Sequence, residues 1–206
     1  KTISARLKRA RLEDVLGDVG NRNVQGEAQQ KLDVIANNVM MQVLRGRDGV
    51  AVLGSEEDDE LLCFNTGNAS GVRYAVMFDP LDGSSNLDVA GSVGTIFSIF
   101  KVDPARTEKL QPGRRQVAAG YVLYGSSTVF VLTTGAGVHM FVLDPAVGAF
   151  IRVAESIQIP EFAPSYSVNE ANANSFPRGY RRYLRQCHDE DFTMRYAGAM
   201  VADVHR

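Results

Sequence analysis

Cysteine is scarce in this 206-residue chain: Cys63 and Cys187 are the only two, far apart and without CxxC spacing. That argues against a disulfide framework or a cysteine-rich zinc site. It suggests reduced thiols in a cytosol-like compartment, the cytoplasm or a plastid stroma. An excess of either charge is also lacking. Lys plus Arg number 22 against 24 Asp plus Glu, a formal net charge of −2. With no basic surplus to meet a phosphate backbone, nucleic acid is not an expected partner. No apolar run approaches the ~18 residues of a membrane helix. The opening Lys1-Thr2-Ile3-Ser4 is not a basic stretch leading into an apolar core, so neither a signal peptide nor a membrane contact is supported. Ser84 has no G-x-S-x-G elbow, and His139, His188 and His205 lie remote from it. A P-loop is absent, and Gly135-Ala136-Gly137 does not extend to G-x-G-x-x-G. Serine hydrolases and nucleotide-cofactor enzymes are thereby set aside.

At 45% hydrophobic and 22% charged residues, the chain can build a sizeable core, in one large domain or one plus part of a second. Ile3, Leu7, Ala10 and Val15 predict a helix over 2–16 with a basic solvated face, and Gly20 to Asn23 reads as a loop. Leu32, Ile35, Ala36, Val39, Met40, Val43 and Leu44 recur at helical spacing, with Asp33 off the stripe. From Val50 the period shortens. Strands are expected at 50–53, 61–64, 74–78, 95–102, 117–124, 128–133, 139–143 and 149–153. Helix returns at 178–186 and 196–205. Tyr121, Tyr124 and Phe130 read as core or half-buried strand residues. The absence of an initial Met and the helical pattern at Arg206 suggest a fragment.

Two acidic clusters follow short apolar strands. Ser55-Glu56-Glu57-Asp58-Asp59-Glu60 holds five successive carboxylates, and Asp79-Pro80-Leu81-Asp82-Gly83-Ser84-Ser85-Asn86 holds two aspartates three apart. Neither contains a base, and unpaired neighbouring carboxylates repel unless a cation joins them. If both strand ends meet at one sheet edge, Glu56, Glu57, Asp79 and Asp82 offer hard oxygen ligands suited to Mg²⁺ or Mn²⁺. Gly83, Ser84 and Ser85 can cradle an anion beside them, the combination phosphate-ester hydrolysis needs. Adjacent Glu56 and Glu57 on an extended strand would point to opposite sides. One would ligate metal while the other, with Asp33, accepts a proton from water. Asp33 reads equally as a surface charge, and Asp58 and Asp59 as residues that solvate the loop.

The stretch Phe78-Asp79-Pro80-Leu81-Asp82-Gly83-Ser84-Ser85-Asn86-Leu87-Asp88, continuing to Ser92-Val93-Gly94-Thr95-Ile96-Phe97-Ser98-Ile99, closely resembles the signature of class I fructose-1,6-bisphosphatases. Supporting matches include Asn23-Val24-Gln25-Gly26-Glu27, Lys31-Leu32-Asp33-Val34, Leu110-Gln111-Pro112-Gly113 and Met200-Val201-Ala202-Asp203-Val204-His205-Arg206. The resemblance implies an α/β fold, layered α-β-α-β-α with mixed β-sheets. It places a metal-site and allosteric domain over 1–157 and the start of a substrate-binding domain over 158–206, in a fragment lacking the family's first helix and the rest of its catalytic domain. The implied activity is metal-dependent hydrolysis of the 1-phosphate of fructose 1,6-bisphosphate, in gluconeogenic or Calvin-type metabolism, by direct attack of water.

By the same resemblance, Glu56, Glu57, Asp79, Asp82 and the Leu81 carbonyl hold two or more Mg²⁺ or Mn²⁺ ions, while Asp33 and Glu57 activate water. Asp82, Gly83, Ser84 and Ser85 take the substrate's 1-phosphate end; Asn169, Tyr196 and Met200 line the sugar and 6-phosphate pocket. Arg195 reaches the 6-phosphate of a neighbouring subunit in a homotetramer. Arg73, Tyr74 and Lys101 match AMP-contacting positions, with Lys101 in place of an arginine. Because the wider lithium-sensitive phosphatases share the Asp-Pro-x-Asp-Gly core, sedoheptulose bisphosphate and inositol phosphates are alternative substrates. A truncated, non-catalytic subunit is the alternative role.

Overall fold

The computed structural model describes residues 1–23, 28–64, 71–102 and 111–206. Val24 to Glu27 and Leu110, part of the resemblance, lie outside the described residues. Helix α1 (Thr2–Arg9) buries Ile3 and Ser4. It is shorter than the expected 2–16: the chain turns after Arg9, Asp14 takes a positive φ of 52°, and Glu13 folds back onto Arg6 and Arg9 at 2.9 and 2.7 Å. Strand β1 (Asp18–Arg22) pairs antiparallel with β2 (Ala28–Gln30), where a loop was expected over 20–23. Gly and Asn are residue types with little strand preference, but backbone groups still pair when a partner segment is held alongside.

Helix α2 (Lys31–Arg45) buries Leu32, Asp33 and Ala36 and packs on one face of an eight-stranded sheet. Its strands are β3 (Val50–Ser55), β4 (Leu62–Cys63), β5 (Tyr74–Asp82), β6 (Val93–Lys101), β7 (Gln116–Tyr124), β8 (Thr128–Thr133), β9 (Val138–Asp144) and β10 (Ala149–Ala154). All eight were expected from the sequence, but β5 runs four residues further, through Asp82. The strand order is β10-β9-β8-β7-β6-β5-β3-β4. Only β3 and β5 run parallel among these pairs, so both end at the same edge.

The alternating positions of β6 divide the two faces. Phe97 and Ile99 pack with Met40, Met41 and Leu44 of α2, and Val93 joins Leu32 and Ala36. On the other face, Gly94 lies against Val201, in helix α4 (Met200–His205). An added Cβ at Gly94 would fall 2.5 Å from Val201 Cγ1 and 2.6 Å from the Val122 carbonyl, so α4 can seat only on a glycine. Helix α4 begins four residues later than its expected start because Gly198, at φ +74°, interrupts the helical path. Helix α3 (Arg178–Asp189) buries Leu184 and Cys187 against Tyr166. A short parallel pair, β11 (Ser165–Tyr166) and β12 (Thr193–Met194), completes this region; two-residue strands leave no periodicity to read. No helix among the described residues is long and apolar enough to cross a membrane.

Candidate active site

The parallel register of β3 and β5 pairs Ser55 with Phe78, and the Glu56 N–H donates to the Phe78 carbonyl at 3.0 Å. The two acidic segments therefore leave the sheet side by side. They border a cavity of about 520 Å³ walled by Asp33, Glu56, Glu57, Asp79, Leu81, Asp82, Gly83, Ser84, Ser85 and Met200, with Asn23, Gln30 and Gly198. Glu56 and Glu57 share it, contrary to the expectation of opposite sides. The chain has left the extended conformation there: Asp58 N–H returns to the Ser55 carbonyl at 3.4 Å and Glu57 N–H to Ser55 Oγ at 3.2 Å.

Asp33 comes from the first turn of α2, where its Oδ2 accepts the Gln30 N–H at 2.7 Å. It is 3% exposed, which excludes the surface-charge reading, and its Oδ1 is buried without a hydrogen-bond partner. Burial, with Glu57 and Glu56 nearby, pushes its pKa to about 6, against the lowering effect of the Gln30 N–H and the Ser84 hydroxyl. Asp79 is pushed well above the usual carboxylate range by burial and by Glu56, which shares a hydrogen bond with it. Burial also raises Asp82 and Glu57. Asp82 Oδ2 accepts the Val201 N–H at 2.7 Å, and Gln29 donates to Glu57 Oε2 at 2.5 Å.

The carboxylates are not arranged as a finished shell. Among the described residues no group of three Asp, Glu, His or Cys side chains is preset around one point. Asp33, Asp82 and Glu57 each have one oxygen engaged by a protein N–H. What remains is an orphaned oxygen, four carboxylates with raised pKa values and, among the described residues, no Lys or Arg in the wall. That donor set fits a hard divalent cation, which would offset the burial, and the lesser mutual repulsion, that raise those values.

The anion side is built at Gly83, whose φ is +76° and where a Cβ would fall 2.4 Å from Ala199 Cβ. Ser84 and Ser85 open the 3₁₀ turn Ser84–Val89. Asn86 Nδ2 donates to the carbonyls of Ser92 at 3.1 Å and Ala197 at 2.9 Å, stapling this turn to the segment before α4. Sequence reading missed Asn86 as a functional support, and also Asn37, which donates to both oxygens of Asp58 at 3.3 and 3.2 Å. An amide one helical turn after Asp33 was the available signal.

Met200 reaches the cavity; Asn169, Arg195 and Tyr196 do not form its wall. Asn169 caps the turn Glu170–Ser175 by accepting the Ala171 N–H at 3.1 Å. Arg195 N–H donates to the Tyr166 carbonyl at 2.8 Å, and Tyr196 is half exposed. Arg73, Tyr74 and Lys101 gather at the other end of β5: Tyr74 pairs with Lys101, and Val102 N–H donates to the Arg73 carbonyl. That is roughly 26 Å from Asp82 at the rise of a strand.

Residues 1–155 match the family described as "Fructose-1-6-bisphosphatase, N-terminal domain", and 159–206 match its C-terminal domain. The chain belongs to the fructose-1,6-bisphosphatase family. Among solved structures, it is similar to the Leishmania major fructose-1,6-bisphosphatase in holo form, at 35% identity and a TM-score of 0.90. The same Leishmania enzyme in apo form matches at 33% and 0.79, and in the T-state at 35% and 0.82. Each comparison covers the whole of this chain but only 64 to 66% of the Leishmania protein. The chain thus spans just under two thirds of the length of these relatives, and the mixed α/β architecture agrees with their fold.

Proposed function

We propose that the protein hydrolyses the 1-phosphate of D-fructose 1,6-bisphosphate, with Mg²⁺ or Mn²⁺, to fructose 6-phosphate and phosphate. The observation that carries this reading is one cavity shared by five acidic side chains and a Gly-Ser-Ser turn, in a chain of this family. Glu56, Glu57, Asp79, Asp82 and the Leu81 carbonyl would hold the divalent ions. When bound, such ions polarise the phosphoryl group and lower the pKa of water.

The chain's own groups divide the remaining work. The backbone N–H groups and hydroxyls of Ser84 and Ser85 orient the phosphate, and Gly83 lets the turn take its positive φ and pack against Ala199. Asp33, with its pKa near 6 and one oxygen unengaged, accepts the proton of the attacking water together with Glu57. The nucleophile in this reading is water, activated between Asp33 and Glu57; among the described residues no histidine, cysteine or lysine lines the cavity. Met200, which borders the cavity, lines the sugar and 6-phosphate pocket. Asn169, Tyr196 and, from a neighbouring subunit of a homotetramer, Arg195 bind the sugar and its 6-phosphate. The proposed compartment is the cytoplasm.

The test is phosphate release by the full-length protein across fructose 1,6-bisphosphate, sedoheptulose 1,7-bisphosphate and inositol monophosphate, with Mg²⁺ varied. Preference for fructose 1,6-bisphosphate with strict metal dependence is expected. Release chiefly from inositol monophosphate, or no release at all, refutes the proposal.

A further inference from the structure

The pairing of β5 with β6 contains a bulge at the site. Asp79 opposes Ile96 and Asp82 opposes Gly94, so two residues, Pro80 and Leu81, face the single residue Thr95. A proline has no N–H for the ladder, and a bulge leaves backbone groups without their regular partners. Here a side chain replaces the ladder. Thr95 Oγ1 donates to the Pro80 carbonyl at 2.9 Å and lies 2.9 Å from Tyr124 Oη. A hydroxyl has one proton and a carbonyl only accepts, so Tyr124 must be the donor to Thr95. The relay has one direction: Tyr124 O–H to Thr95 O–H to Pro80 C=O.

That carbonyl belongs to the peptide plane between Pro80 and Leu81. The plane's other polar end, the Leu81 N–H, donates to Asp79 Oδ1 at 2.8 Å. Thr95 therefore fixes one edge of the plane and Asp79 the other. With the plane held, one oxygen of Asp79 is committed and the chain enters Leu81, whose carbonyl is the expected ligand, from a fixed peptide. Thr95 is 3% exposed and Pro80 is fully buried, so water does not replace a lost bond there. Tyr124 packs against the Leu32, Leu81 and Val93 cluster, on the α2 face of β6.

We propose that Thr95 and Tyr124 are positioning residues for the divalent-metal centre, holding Asp79 and the peptide leading to the Leu81 carbonyl in ligating orientation from the buried α2 face of the sheet. This rests on reading the cavity as a metal centre. Neither hydroxyl lines the cavity, so both act through the peptide they grip.

The full-length protein is titrated with Mn²⁺ alone, and the free ion is read by electron paramagnetic resonance. Thr95→Val is expected to weaken Mn²⁺ binding about tenfold, in the range found when a group supporting a metal ligand is removed. Thr95→Ser, which keeps the hydroxyl, is expected to stay within about twofold of wild type. Tyr124→Phe, which keeps the ring packing, is expected to lose about threefold. A role in packing alone would lower thermal stability and leave Mn²⁺ affinity per folded molecule unchanged; that result in Thr95→Val overturns the proposal. If Thr95→Val does not fold, unchanged affinity in Tyr124→Phe overturns it instead. If wild type binds Mn²⁺ but hydrolyses no sugar bisphosphate, the proposed function fails while weakened binding in the variants still upholds the relay. Absence of Mn²⁺ binding by wild type overturns both.

Discussion

Replacing Asp33 with Asn should make the metal-free protein more stable while disabling it. Asp33 is almost fully buried, and folding lifts its pKa from 3.8 to about 6. At about 1.4 kcal/mol per unit, keeping it ionised costs the folded state about 3 kcal/mol above pH 7. The sign follows from the raised value: the penalty is absent below the unfolded pKa and complete once pH has passed the folded one. About half is in place at pH 5. The amide oxygen of Asn can still accept the Gln30 N–H, so the cap survives the change. Thermal unfolding in EDTA should therefore show the variant's advantage widening by about 1.5 kcal/mol between pH 5 and pH 8, on the order of 3–6 °C in Tm for a chain of this size. Phosphate release should fall at least 100-fold. A stability difference that stays constant across this pH range would refute the account of Asp33 as a buried, strained base.

Asp82→Asn removes an expected metal ligand and should lower kcat by roughly 10²–10⁴, whereas Asp59→Asn, in the exposed part of the acidic loop, should stay within about twofold. A loss in Asp59→Asn as large as in Asp82→Asn would contradict the division between ligands and solvating charges. Gly83→Ala places a Cβ 2.4 Å from Ala199 Cβ at a φ of +76° and should destabilise by roughly 2–3 kcal/mol, measured by denaturant unfolding. Mg²⁺ should raise Tm more at pH 8 than at pH 6, because Asp79, Asp82 and Glu57 all carry raised pKa values and must shed protons to bind. Equal stabilisation at both pH values would argue against these carboxylates as ligands.

The strands and helices were largely legible because each carries its own periodicity, and the two acidic clusters because each is contiguous. Their convergence was conditional on topology, and the parallel pairing of β3 with β5 supplies it. What stayed hidden depends on partners distant in sequence. The burial of Asp33 follows from where α2 lands on the sheet. The Thr95 hydroxyl is engaged because the bulge across the ladder leaves the Pro80 carbonyl to hold, and Asn86 because it reaches Ala197, 111 residues away. The Glu56 and Glu57 directions were misread for a local reason: alternation holds only while the chain is extended, and it turns at Ser55. The 3₁₀ turn and the hairpin of β1 and β2 lack a side-chain period from which either could be inferred.

Because Asp82 is held by the Val201 N–H, 119 residues later in the chain, the cradle cannot be completed as its own residues leave the ribosome. At ~5–20 residues per second, roughly 6–24 s of synthesis separate the two partners. During that interval the nascent chain carries a cluster of crowded carboxylates whose amide clasp has not yet been made, and this end of the sheet stays unfinished until α4 emerges.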